Sequence, residues 1–214
     1  MMFRSQERAT GCPNSRRFGE KWADEGAAQI VEFAVSLPLL VLFVVGIYDF
    51  SGAFTLKQKL TNIARDTARI AAADPASDLT NPTNANGLPT SVNDAFQALQ
   101  NYLVANSIAN CGITAPAGPT NLTWTFSASG PPCTVGVQTF IINRGYYYSS
   151  LGGGLPSASC ATGAVGSGNL AVISTCVSIQ YVYQWQFGRV ASLIGSTTAL
   201  PTSITVSAVA MNEN

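Results

Sequence analysis

Histidine is missing from all 214 residues. Imidazole is the usual general base near neutral pH and the commonest metal ligand, so Ser-His-Asp, Cys-His and His-zinc chemistry are excluded. A Ser-Lys hydrolase would survive that exclusion, yet the three lysines, Lys21, Lys57 and Lys59, all lie beside an apolar segment rather than in the bulk of the chain. Charge is scarce too: 10% of residues are charged and the formal net charge is zero, where a typical soluble domain carries about 25% charged residues. No basic field exists to condense on nucleic acid, and no nucleic-acid partner is expected. The cysteines contain no C-x-x-C pair, which removes the common zinc pattern. No catalytic residue, metal or cofactor is expected, and the chain reads as a non-enzyme.

What is present is apolar. Ala27 to Tyr48 reads AAQIVEFAVSLPLLVLFVVGIY, 22 residues with one charge, close to the ~20 residues a helix needs to cross ~30 Å of hydrocarbon. A buried core helix would show a polar stripe, and none is visible. A cleaved secretory signal has a shorter apolar region and ends in a small-x-small site, whereas Tyr48 leads into Asp49-Phe50-Ser51-Gly52-Ala53-Phe54 and a further helical pattern. The segment is expected to stay in the mature protein, with a mild kink at Pro38, which membrane helices tolerate.

Basic residues flank the run almost evenly: Arg4, Arg8, Arg16, Arg17 and Lys21 before it, Lys57, Lys59, Arg65 and Arg69 after it. Cysteine usage separates the sides. Cys12 lies alone before the run, while Cys111, Cys133, Cys160 and Cys176 form an even set after it, as in an exported domain held by disulfides. Four cysteines allow three pairings, which spacing does not resolve. The C-terminal part is expected outside the cytoplasm.

Glu32 is the anomaly. A carboxylate toward the bilayer interior costs on the order of 2.5–3.5 kcal/mol on insertion scales. It either snorkels toward the headgroups or awaits a positive charge from another chain.

Gly26-Ala27-Ala28-Gln29-Ile30-Val31-Glu32-Phe33, followed by Ala34-Val35-Ser36-Leu37-Pro38-Leu39-Leu40, resembles the head of TadE-like pseudopilins from bacterial tight-adherence, or Flp-type, pilus systems. The resemblance continues through Leu60-Thr61-Asn62-Ile63-Ala64-Arg65-Asp66-Thr67-Ala68-Arg69. It implies a minor pilin or pseudopilin in the inner membrane, single-pass with an exported head, partnered by other pilins through its N-terminal helix and by the prepilin peptidase. That aspartyl membrane protease cuts after a small residue, usually glycine, and a glutamate follows at the fifth mature position. Cutting after Gly26 makes Glu32 the sixth residue; cutting after Ala27 makes it the fifth but puts alanine where glycine is usual. Gly26, Ala27 and Ala28 are thus the implied processing residues, and Glu32 and Phe33 the implied assembly residues. The alternative is a membrane-anchored envelope protein whose exported domain binds a partner without entering a filament.

Beyond the membrane, Leu56, Leu60, Ile63, Thr67 and Ile70 share one helical face. A continuous helix from about Ala28 to Ala73 would extend roughly 70 Å, and Asp74-Pro75 should end it. The expected organisation is a cytoplasmic leader over 1–26, a transmembrane and stalk helix over 27–73, a polar connector over 74–91 and an exported head over 92–214. Val92 to Ile108 fits a second helix. Asn121–Ser127, Val135–Ile142, Leu170–Phe187 and Ser203–Met211 fit strands, the last two pairing antiparallel. Leu170–Phe187 alternates an aromatic face with a polar one. Tyr146-Tyr147-Tyr148, followed by Ser149 to Gly154, reads as a turn with one buried tyrosine or as an exposed binding loop, and Arg189–Ile194 as a short helix or loop. The fold class is α+β: a long N-terminal helix, then a small, mostly antiparallel sheet with one or two further helices.

Overall fold

The computed structural model describes residues 17–80, 87–114, 116, 119–131, 133, 138–149, 159–160, 171–185 and 201–213. The chain divides into two compact units, Met1–Ile47 and Tyr48–Asn214. Helix α1, Arg17–Ala73, contributes to both and runs through Pro38, Gly46 and Gly52. The architecture is α+β, as the sequence pattern predicts.

Within the Tyr48–Asn214 unit the rest of α1 is rich in Ala, Leu, Lys, Gln and Arg, the strongest helix formers. It stops where Pro75 disfavours helical geometry at the residue before it. A short 3-10 helix, Ala76–Thr80, follows, and then α2, Thr90–Ala105. Helix α2 starts after Pro89, which has no N–H to satisfy, and its own N-cap side chain makes no capping bond. The N–H of Ser91 instead donates 2.8 Å to Oδ2 of Asp78. That carboxylate lies at the positive end of the helix dipole.

The other end of α2 closes differently. Ser107 N–H donates to the Val104 carbonyl at 3.0 Å and Ile108 N–H to the Leu103 carbonyl at 2.8 Å, with Ser107 at φ 57°. This pairing is a Schellman cap, completed by the buried side chains of Leu103 and Ile108.

Four strands form one antiparallel meander in the order β1 (Thr123–Ala128), β2 (Gln138–Ser149), β3 (Ala171–Val182), β4 (Ser203–Met211). The expected β3–β4 pairing is present, with Val182 opposite Ser203 and Ser174 opposite Met211. β1 begins two residues later than its alternation suggests. Asn121 and Leu122 both take positive φ, and Thr120 and Thr123 exchange two main-chain hydrogen bonds of 3.0 Å across them. They are the two-residue loop of a tight hairpin.

One face of the sheet packs against α1 and α2 in a single core. Leu60, Ile63, Ala64, Ala68 and Ala71 from α1 and Val92, Phe96, Leu99 and Leu103 from α2 meet Trp124, Phe126, Phe140, Ile142, Val177 and Ile179. Phe96 stacks on Phe126 at 4.5 Å. Burying one such leucine or phenylalanine contributes roughly 1.5–3 kcal/mol, and Leu60→Ala would forfeit about 2–5 kcal/mol through the cavity it leaves. The predicted face of Leu56, Leu60, Ile63, Thr67 and Ile70 is the packed one, with Leu56 and Ile70 partly buried. The alanines beside it bring the helix close to the sheet.

The structure corrects one local expectation. Tyr146 to Tyr148 lie within β2 rather than in a loop or turn, with Tyr146 the buried tyrosine. β3 is buried on both faces from Ser174 to Ile179. Its second face is covered by Cys160, which joins Cys176 and Tyr146 in a smaller cluster. The expected helix or loop at Arg189–Ile194 lies outside the described residues.

Candidate membrane segment and the polar clusters of the head

In the Met1–Ile47 unit, the stretch from Gly26 exposes apolar side chains around the helix among the described residues. Its most apolar 18-residue window has a mean hydropathy of 2.6 and is 0% buried. Ile30, Val31, Phe33, Val35, Leu39 and Phe43 are all at least 60% exposed. A soluble surface rarely shows contiguous apolar patches beyond a few hundred Å², so this one calls for lipid or other apolar helices. One helix of this chain is therefore long and apolar enough to span a membrane. Two of its residues bear on its fit to lipid. Ser36 Oγ donates 3.2 Å to the Phe33 carbonyl, so the hydroxyl is satisfied inside the helix. Pro38 has no N–H to offer the Ala34 carbonyl.

Glu32 is exposed on this helix, beside Phe33 and less than two turns beyond Gly26, Ala27 and Ala28. Among the described residues it has no ion-pair or hydrogen-bond partner.

The Tyr48–Asn214 unit holds polar clusters that the sequence reading did not single out. Next to the first turn of α1 in this unit, Tyr183 Oη lies 3.1 Å from Asp49 Oδ1 and 3.2 Å from the Asp49 carbonyl, donating to either. Asp49 is buried. A Cβ at Gly52 would lie 3.1 Å from the Tyr183 hydroxyl, so glycine there lets the tyrosine reach the helix. Burial, the hydrogen bond to Asp49 and the Asp49 charge raise the Tyr183 pKa above its ordinary value. Trp185 packs edge-on against Tyr183 at 4.9 Å and donates through Nε1 to the Pro201 carbonyl.

At the far end of α1, a bulge in β2 controls the geometry. Asn143 lies opposite Cys176 and Tyr146 opposite Ser174, so the β2 strand carries one residue more than β3. Arg144 keeps the helix side by the same alternation as Phe140 and Ile142, and the extra residue places Tyr146 on the opposite face with Asn143. Arg144 Nη1 donates to the Ala71 carbonyl and, at 3.1 Å, to Thr175 Oγ1; Nη2 donates 2.8 Å to the Asp74 carbonyl. Asp78 Oδ1 stands 4.0 Å from Nη2. Burial lowers the guanidinium pKa, and the charges of Asp78 and Asp74 pull it back; the group remains a cation. On the opposite face, Asn143 Nδ2 donates 2.9 Å to the Cys160 carbonyl, pinning the disulfide loop to the sheet.

Two disulfides are formed, Cys111–Cys133 and Cys160–Cys176, with Cα separations of 5.2 and 5.6 Å. No group of three or more metal-binding side chains occurs among the described residues.

Neither curated proteins nor solved structures return a match to this chain. A family model does, described as TadE-like protein, and it aligns with the exposed apolar helix and the α1 turns that follow it. Residues 27–69 are thus similar to TadE-like proteins, a pilus-associated structural family.

Proposed function

We propose that this protein is a minor pilin or pseudopilin of a tight-adherence pilus system, held in the bacterial inner membrane by α1 with its head exported, and that its role is assembly, priming or adhesion rather than catalysis. The observation that carries the reading is one unpartnered carboxylate, Glu32, on a helix that exposes apolar side chains all round within a TadE-like stretch. Such a helix is stable only among lipid or like helices. A carboxylate there is costly alone but is compensated by an ammonium in the same low-dielectric layer.

Prepilin-peptidase cleavage beside Gly26, Ala27 or Ala28 supplies that ammonium as the new amino terminus of a neighbouring subunit. The pair then sets the axial offset between subunits, a registry role. Two disulfides in the head suit an oxidising exterior, which supports export.

The test is Glu32→Ala in the native bacterium. Membrane fractionation should show insertion intact or improved, and electron microscopy should show no assembled pili. Normal piliation in that variant rejects the role. N-terminal sequencing of the membrane-extracted protein should begin at Ala27 or Ala28; a start at Met1 favours an anchored envelope protein outside any filament.

A further inference from the structure

Two features of the Tyr48–Asn214 unit meet in one groove. The first is the outer edge of β4. β4 ends the strand order, and among the described residues no strand pairs with its outer side. Edge strands present unpaired N–H and C=O groups, and proteins usually blunt them with lysine, proline or a bulge. Ser203–Met211 reads SITVSAVAM, with no charge and no proline, and its register with β3 runs without a shift. At the opposite edge, β1 is bridged at Ser127 by Thr114.

The second feature is a pair of cations. Arg65 and Arg69 stand one turn apart on α1, both exposed, and neither forms an ion pair among the described residues. They line a groove of about 460 Å³ whose other wall includes Val209, Met211 and Glu213. Glu213 is the one carboxylate lining it among the described residues, set against two guanidiniums, and its N–H is committed to the Ala72 carbonyl at 3.1 Å. Met211 is 65% exposed and adds an apolar contact.

We propose that this groove binds an extended, acidic segment of another polypeptide, which joins β4 as a fifth strand and sets its carboxylates on Arg65 and Arg69. Main-chain pairing along the edge provides the affinity and the arginine forks provide the selectivity. A second copy of β4 is the poorer occupant because Ser203–Met211 carries no carboxylate and the Glu213 that follows it already lines its own groove.

The test uses the full-length protein in detergent micelles and a fluorescein-labelled, capped eight-residue peptide alternating valine with glutamate, read by fluorescence anisotropy. Binding should saturate and weaken as salt is raised. It should fall at least tenfold when every main-chain amide of the peptide is N-methylated, and at least tenfold in R65Q/R69Q, whose fold is checked by circular dichroism. The proposal is overturned if the peptide does not bind, if the N-methylated peptide binds equally well, or if the double variant binds like wild type. Dimerisation of the chain without peptide, lost in R65Q/R69Q, would also overturn it in favour of a second copy.

Discussion

Arg144 donates to the carbonyl of Ala71, 73 positions earlier in the chain, and so closes the C-terminal end of α1 with a charge from the sheet. Its neighbour Asp78 accepts the N–H of Ser91 in the first turn of α2. A cation thus sits at the negative end of one helix dipole and an anion at the positive end of the next, with the two 4.0 Å apart. Each charge offsets the desolvation of the other.

Removing one partner should therefore cost much more than removing both. Arg144→Met is expected to destabilise the head by about 3–5 kcal/mol, because the Ala71 and Asp74 carbonyls and the Asp78 carboxylate lose their cation. Arg144→Lys recovers only part, since an ammonium lacks the fork that spans two carbonyls. The double variant R144M/D78N should lose less than the sum of the single losses. Thermal unfolding of wild type, R144M, D78N and R144M/D78N, followed by circular dichroism, measures the coupling; strict additivity would rule it out.

Tyr183 predicts a pH dependence. Its pKa in the folded protein lies above the ordinary value of 10.0, so the native state holds the phenolic proton more tightly than the unfolded state does. The associated stability is fully present below the ordinary value and is lost as pH climbs through the folded pKa. Wild type should lose melting temperature as pH rises above about 10, more steeply than Tyr183→Phe. Parallel curves for the two proteins would contradict the assignment.

The two disulfides close chain segments separated by 16 and 22 positions, and each should stabilise by about 3 kcal/mol. Cys160→Ser/Cys176→Ser and Cys111→Ser/Cys133→Ser are each expected to lower the melting temperature by roughly 6–12 °C, at about 2–4 °C per kcal/mol for a domain of 150–250 residues. Mass spectrometry of the unreduced digest should find only peptides joining Cys111 with Cys133 and Cys160 with Cys176.

Ser107 is a non-glycine residue in the left-handed region, at φ 57°. Its side chain costs the α2 cap roughly 1 kcal/mol relative to glycine. Ser107→Gly should raise stability by about that amount while leaving the far-ultraviolet spectrum unchanged, and a lower melting temperature would count against the cap.

Local chemistry carries far where one element depends on its own residues. The 22-residue apolar run, the spacing of Leu60, Ile63 and Thr67, the stop at Asp74-Pro75 and the bounds of β4 all follow from periodicity and backbone restriction. The TadE-like stretch was legible for the same reason, since its residues are contiguous. Tyr146 to Tyr148 misled because the Ser- and Gly-rich run from Ser149 to Gly154 follows them, yet β2 continues past a bulge between Asn143 and Tyr146 as far as Ser149. The double burial of β3 was hidden because its outer cover comes from Cys160, at a distance in sequence and held by Asn143.

By itself the sequence determined that a lone carboxylate lies in an exposed apolar helix, that no histidine chemistry is available, and that a helix and an alternating strand set follow. Those properties depend on residue type and spacing within one segment. The tertiary structure decided which of three disulfide pairings forms, that β2 carries Arg144 to the end of α1, and where Arg65 and Arg69 meet the edge of β4. These depend on contacts between residues tens of positions apart, which exist only once loop closure has brought the segments together.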